Sequence, residues 1–139
     1  MLTGAVLAKY LPLPVAIPVA FLSHFVLDSL PHFGFEDFEV SKKYRKLFSQ
    51  VLSVDITAFL ALSSWLIISG HWLWFVVGLI AYSPDLIWVY RYIFEEQFGK
   101  ISPKRGNPFL DFHSGIQLEH RWGMFVELFF ATCMFLIVR

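Results

Sequence analysis

The sequence predicts an all-α integral membrane protein: a single transmembrane helical domain over residues 1–139, with an N-terminal proline-broken helical hairpin followed by three transmembrane helices. Three observations carry that prediction. Hydrophobic residues make up 57% of the 139 residues and charged ones only 16%, more apolar side chain than so small a soluble domain can cover. The apolar residues fall into long runs separated by short polar segments, as spans of about 20 residues require. The basic residues gather in alternate connections, as they do in multi-pass proteins.

The elements follow in order. The apolar stretch Leu2 to Leu30 is interrupted by Pro12, Pro14 and Pro18, and proline removes a backbone donor and clashes within a helix. A short helix Leu2–Tyr10, a Leu-Pro-Leu-Pro turn and a second helix from Val15 to Leu30 are expected. The first arm is too short to cross about 30 Å of hydrocarbon at 1.5 Å per residue, so it should pack as a half-membrane arm on its neighbour. After a polar segment holding Glu36, Asp37, Glu39, Lys42, Lys43, Arg45 and Lys46, a second span runs from Leu47 to Ser69. Ser69-Gly70-His71 makes a tight turn, and a third span runs from Trp72 to Phe94. A polar loop with Lys100, Lys104 and Arg105 leads to the last helix, from Glu119 to Arg139.

Orientation follows from the Lys and Arg bias of the loops. The loops over 34–46 and 95–118 are basic and the Gly70 turn is not. The basic loops are therefore expected in the cytoplasm, with the Gly70 turn and Arg139 outside. Trp72 and Trp74 suit the outer interface and Trp122 the inner one. The N-terminus shows neither a basic stretch nor a small-residue cleavage site, so a cleaved signal peptide is not expected. Net charge is zero, which gives no electrostatic case for nucleic acid. The single cysteine, Cys133, lies in an apolar run; it excludes an intrachain disulfide and reads as a small buried hydrophobe.

Four acids lie in or at the ends of apolar segments: Asp28, Asp55, Asp85 and Glu127. A carboxylate at the centre of a span costs roughly 2.5–3.5 kcal/mol, so each must be paired, protonated, near the interface or bound to a cation. Depth places all four, with His120, toward the cytoplasmic leaflet, whereas His71 stands alone in the outer turn. The sharpest motif is Ser23-His24-Phe25-Val26-Leu27-Asp28-Ser29-Leu30-Pro31-His32. His24 and Asp28 are i and i+4, about 6 Å apart along one helix face, a spacing that lets an imidazole and a carboxylate share an ion. Pro31 biases Leu30 away from helix, and His32 can then fold back toward them. The structural alternative is a capping Asp with hydrogen-bonded histidines.

A second motif, Phe112-His113-Ser114-Gly115-Ile116-Gln117-Leu118-Glu119-His120-Arg121-Trp122-Gly123, reads as a loop entering the last helix. His120 and Glu127 lie two turns apart on one face, with Gly123 between them leaving room for close approach. Asp55 and Asp85 complete the set, and Pro84 loosens the helix before Asp85. The candidate metal ligands are thus His24, Asp28, His32, Asp55, Asp85, His113 and His120; Glu127 and Asp85 are candidate catalytic groups, with Glu127 as general base. Structural alternatives exist: Arg91 could pair with Asp85 and Lys9 could serve the hairpin, while Arg91 and Arg121 could hold an anionic substrate.

The stretch Ser23 to Pro31 resembles a Ser-His-x-x-x-Asp-x-Leu element ending in Pro found in bacterial inner-membrane metal-dependent hydrolases, including the LexA-binding, inner-membrane-associated group. Pro84-Asp85 matches the start of that family's Pro-Asp-x-Asp-His element, with Ile87 and Trp88 in place of the second Asp and the His. The two elements occur here in reversed order, and Phe112-His113-Ser114-Gly115 loosely echoes a third. The resemblance implies a metal and a hydrolytic activity. Together with the residue pattern it leads to an expected metal-dependent hydrolase of the bacterial inner membrane, using Zn or Mn at the cytoplasmic leaflet. Its expected partners are membrane lipids and an amphiphilic or phosphoester substrate. The alternatives are an intramembrane proton or metal-ion conduit, which needs acids at several depths, and a non-enzymatic structural membrane protein.

Overall fold

A computed structural model describes residues 1–33, 45–86, 108–120 and 122–139. The described chain is all-helical, its one β-type pairing being an isolated parallel bridge between His32 and Glu119. The helices are α1 (Leu2–Tyr10), α2 (Leu13–Asp28), α3 (Arg45–Ile68), α4 (Trp72–Tyr82), α5 (Pro108–Ile116) and α6 (Gly123–Val138), with a 3-10 turn at Ser83–Asp85 following α4.

The hairpin forms where the prolines dictate. Leu11 ends α1 in an extended conformation (φ −114°, ψ 148°), as a residue before proline prefers. Pro12 then caps α2, and its carbonyl accepts the Ala16 amide at 2.9 Å. The α3–α4 turn is a Schellman motif: Gly70 sits at φ +78°, its N–H bonds to Ile67 O at 3.0 Å, and the His71 N–H bonds to Leu66 O at 2.8 Å. Only glycine adopts that left-handed φ without a steric penalty.

Three boundaries depart from expectation. The segment 108–116, read as loop, is helix α5. Pro108 occupies its first position, where the missing N–H costs nothing, and Phe109, Phe112, His113 and Ile116 form a helical stripe. The last helix begins at Gly123 rather than Glu119, because residues 118–120 are drawn into backbone pairing with the end of the α2 segment. The third apolar element is interrupted after Tyr82, where Pro84 tightens it into the 3-10 turn, and Leu86 is α-helical again; 87–94 lie outside the described residues.

One described helix is long and apolar enough to cross a membrane, α3 over Ser49–Ile68, while α2 and α6 are apolar but shorter, 16 residues each. The buried hydrophobics are chiefly small, with Ala5, Ala16, Ala20 and Ala81 beside Leu66, Val77 and Val138. Large apolar side chains point outward, among them Leu22, Val26, Leu60, Ile68, Phe125, Phe129 and Leu136. At the centre Gly4 of α1 crosses α4 so closely that a Cβ there would lie 2.5 Å from Val77 O and 2.7 Å from Gly78 Cα. Small residues at these helix contacts let the backbones approach closely.

Candidate metal centre

The end of the bundle that holds the C-termini of α2 and α4 and the N-terminus of α6 collects the polar side chains. On α2, His24 and Asp28 share one face, one turn apart, with His24 Nε2 3.3 Å from Asp28 Oδ2. The 3-10 turn made by Pro84 directs Asp85 toward the same point, its Oδ1 3.5 Å from His24 Nε2. From α5 comes His113, whose Nε2 lies 2.7 Å from Asp28 Oδ2 and 3.2 Å from His24 Nε2. His113 is fully buried and His24 nearly so, at 0% and 6% exposure, whereas the Asp85 side chain is 37% exposed. Aromatic rings seat the two imidazoles. Phe25 meets His24 and His113 edge-on at 5.4 and 5.6 Å between centroids, and it also touches Phe109 and Phe112 of α5 at 6.0 and 5.7 Å.

The four residues each offer one donor atom, and all four atoms lie within 4.8 Å of one another. A tetrahedral Zn site with bonds of 2.0–2.2 Å separates its ligand atoms by about 3.3–3.6 Å. Three of the measured separations, 3.2, 3.3 and 3.5 Å, fall within 0.1 Å of that range, and the fourth, 2.7 Å, is a hydrogen bond. The donor chemistry fits a cation as well. His24 Nε2, His113 Nε2 and Asp28 Oδ2 form a triangle in which each imidazole can donate to the carboxylate. In the tautomers that leave Nε2 unprotonated, two ring lone pairs and the carboxylate face one point, which a cation would satisfy together. A cavity of about 170 Å³ opens beside the cluster, lined by Thr3, Ser23, Leu27 and Tyr82 together with His24, Asp28 and Asp85.

Of the seven residues read as candidate ligands, the fold thus brings together His24, Asp28, Asp85 and His113 and leaves His32, Asp55 and His120 out. His32 does fold back after Pro31, as expected, but its Nδ1 bonds to Leu30 O at 3.0 Å and its backbone pairs with 118–120. Asp55 lies on the exposed face of α3. His120 stacks on Trp122, with centroids 5.5 Å apart and planes 12° from parallel. Glu127 also stands apart from the cluster, its Oε1 accepting the Phe33 backbone N–H at 2.8 Å. Lys9 serves neither acid: it donates to Ile137 O at 2.6 Å and lies over the rings of Tyr10 and Trp74. Cys133 is half-buried. Arg91 and Arg121 lie outside the described residues.

Reading the sequence missed α5 itself. Its signal was present as Pro108 followed by the i, i+3, i+4, i+7 stripe of Phe109, Phe112, His113 and Ile116. That stripe places His113 on the face turned toward α2, which a loop assignment could not do. Comparison of the chain with family models, with curated proteins and with solved structures finds no match.

Proposed function

We propose that this protein is a multi-pass membrane hydrolase in which His24, Asp28, Asp85 and His113 hold one divalent ion, Zn or Mn. The observation that supports this reading is the convergence of two imidazole nitrogens and two carboxylate oxygens within 4.8 Å, supplied by three separate parts of the chain. Two nitrogen and two oxygen donors match the preferences of Zn and Mn better than those of Ca, which takes six or more oxygens. The resemblance of Ser23–Pro31 to the inner-membrane metal-dependent hydrolases points the same way. An ion at this position supplies an activated water and polarises a carbonyl or phosphoryl oxygen.

The chain's own residues set up the remainder. His24, Asp28 and His113 are the more enclosed of the four ligands. Asp85, the most exposed of the four and part of the cavity wall, is placed to act on a molecule entering that cavity. Ser23, Thr3 and Tyr82 add hydroxyls to the wall, and these orient a polar group by hydrogen bonding. The outward-facing large apolar side chains favour lipid around the bundle, and hence an amphiphilic ester or phosphoester as substrate. The basic connections favour a cytoplasmic position for the site. The second and third apolar elements and α6 then complete the spans.

Metal analysis of detergent-purified protein tests the reading. Wild type should carry close to one Zn or Mn per chain, and His24→Ala or His113→Ala should carry little. Hydrolysis of amphiphilic esters should vanish on chelation and return with the metal. Wild-type protein that takes up no metal after reloading would overturn the proposal.

A further inference from the structure

The chain between α5 and α6 does not simply connect them; it is sewn to the segment that follows α2. The Leu118 N–H bonds to Asp28 O at 3.0 Å, the His32 N–H to Leu118 O at 3.1 Å and the His120 N–H to His32 O at 2.8 Å. The first of these anchors residue 118 to the backbone of Asp28, whose carboxylate holds His113 Nε2 at 2.7 Å. Two features of α6 close the arrangement from the other side. Glu127, reaching back from the second turn, accepts the Phe33 N–H at 2.8 Å. Gly123, the first residue of α6, lies directly against the His32 backbone, where a methyl group would overlap it.

We infer that Glu127 and Gly123 are positioning residues, clamping the 118–120 strap to the 32–33 segment and so holding His113 over Asp28. α5 touches α2 through the Phe25 cluster, but its C-terminal end leads directly into the strap. The bond from Glu127 fixes Phe33, Phe33 fixes the register of His32, and His32 pairs on both sides with 118 and 120. A charged acceptor for a backbone N–H is about twice as strong as a neutral one, which suits a carboxylate to the outer end of the clamp. Gly123 sets how closely α6 can approach, and so brings Glu127 within reach. Glu127 thereby acts through the backbone, without touching the ion or the reacting group.

Amide exchange measured by NMR on the protein in detergent, and Co(II) binding followed by its visible ligand-field bands, test the clamp from two sides. Glu127→Ala should speed exchange at the Leu118 and His120 amides by tenfold or more. It should also weaken Co(II) binding by roughly tenfold, the low end of what lost support costs a metal ligand, and shift its bands. Phe33→Pro removes the same bond from the donor side, immediately after the bridge-paired His32. It should reproduce both effects, and the double variant should add nothing. Glu127→Gln keeps a carbonyl acceptor and should restore both readouts to near wild type. Lys9→Met, which removes the bond to Ile137 O at the opposite end of α6, should change neither.

Unaltered exchange at Leu118 and His120 in both Glu127→Ala and Phe33→Pro would overturn the inference, as would equal effects from Lys9→Met. The Co(II) arm rests on the proposed metal centre, whereas the exchange arm does not. Wild type that fails to bind Co(II) would count against the metal centre and leave exchange to decide the clamp. Undiminished Co(II) affinity in both clamp variants, where wild type binds Co(II), would overturn the link to His113.

Discussion

Asp85→Asn is the perturbation that separates a metal site from a hydrogen-bonded cluster. The substitution keeps the shape of the side chain and removes its charge. The carboxylate is 37% exposed and 3.5 Å from His24 Nε2, so the folded state loses little; a change at so accessible a position typically costs within about 0.5 kcal/mol. Binding of the ion is affected far more, because a neutral amide oxygen is a poor ligand. Suppose free Zn or Mn is set at 100 times the wild-type Kd. The ion then stabilises the fold by about 2.7 kcal/mol. For a chain of this size that raises the unfolding midpoint by roughly 5–10 °C. If Asp85→Asn weakens the site 100-fold, the same metal concentration gives only about 0.4 kcal/mol, a rise of roughly 2 °C or less. The assay is thermal unfolding in detergent, with and without metal, for wild type, Asp85→Asn and His113→Ala. His113→Ala should lose midpoint even without metal, since it empties a fully buried site and breaks the 2.7 Å bond to Asp28. A metal-induced rise of equal size in wild type and both variants would place the ion elsewhere and refute the assignment.

Gly4→Val should destabilise the bundle by about 1–3 kcal/mol, because its branched side chain enters the space of Val77 O and Gly78 Cα; unfolding in mixed micelles with rising SDS reads this directly, and wild-type stability would mean that α1 and α4 do not cross there. A topology reporter fused after Phe98 should read cytoplasmic and one at Gly70 external, following the basic connections; the opposite pattern would move the site to the other face of the membrane.

The elements that proline and glycine punctuate were legible in the sequence. The break at Leu11–Pro12 and the tight turn at Gly70 follow from local backbone chemistry, which a sequence displays directly; an irregularity at Pro84 was legible too, though it tightens the chain into a 3-10 turn where loosening was expected. So was the pairing of His24 with Asp28, since i, i+4 spacing needs only that the segment be helical. Membership of the cluster beyond α2 was not legible. Asp55 and Asp85 look alike as acids in apolar runs, and only the tertiary arrangement turns one inward and leaves the other on the exposed face of α3. The strap was hidden for a related reason. The pairing of Asp28 and His32 with residues 118–120 joins positions more than 80 apart, and each stretch is too short for any periodicity to announce an extended segment.

The two carboxylates give the metal centre its energetic logic on the membrane reading. An ionised acid at the centre of a span costs roughly 2.5–3.5 kcal/mol; Asp28, which closes α2, and the partly exposed Asp85 cost less than that each, but the cost has the same sign. Neutral histidines alone cannot offset that, because two uncharged imidazoles leave the pair with a charge of −2. One dication brings the cluster to zero while turning both carboxylates into ligands. On that reading the large apolar side chains that face outward from α2, α3 and α6 meet lipid, which solvates charge poorly, and neutralisation gains in value. Ion binding and folding are therefore coupled through the same two residues. This is why the unfolding midpoint, and not activity alone, reports on the site.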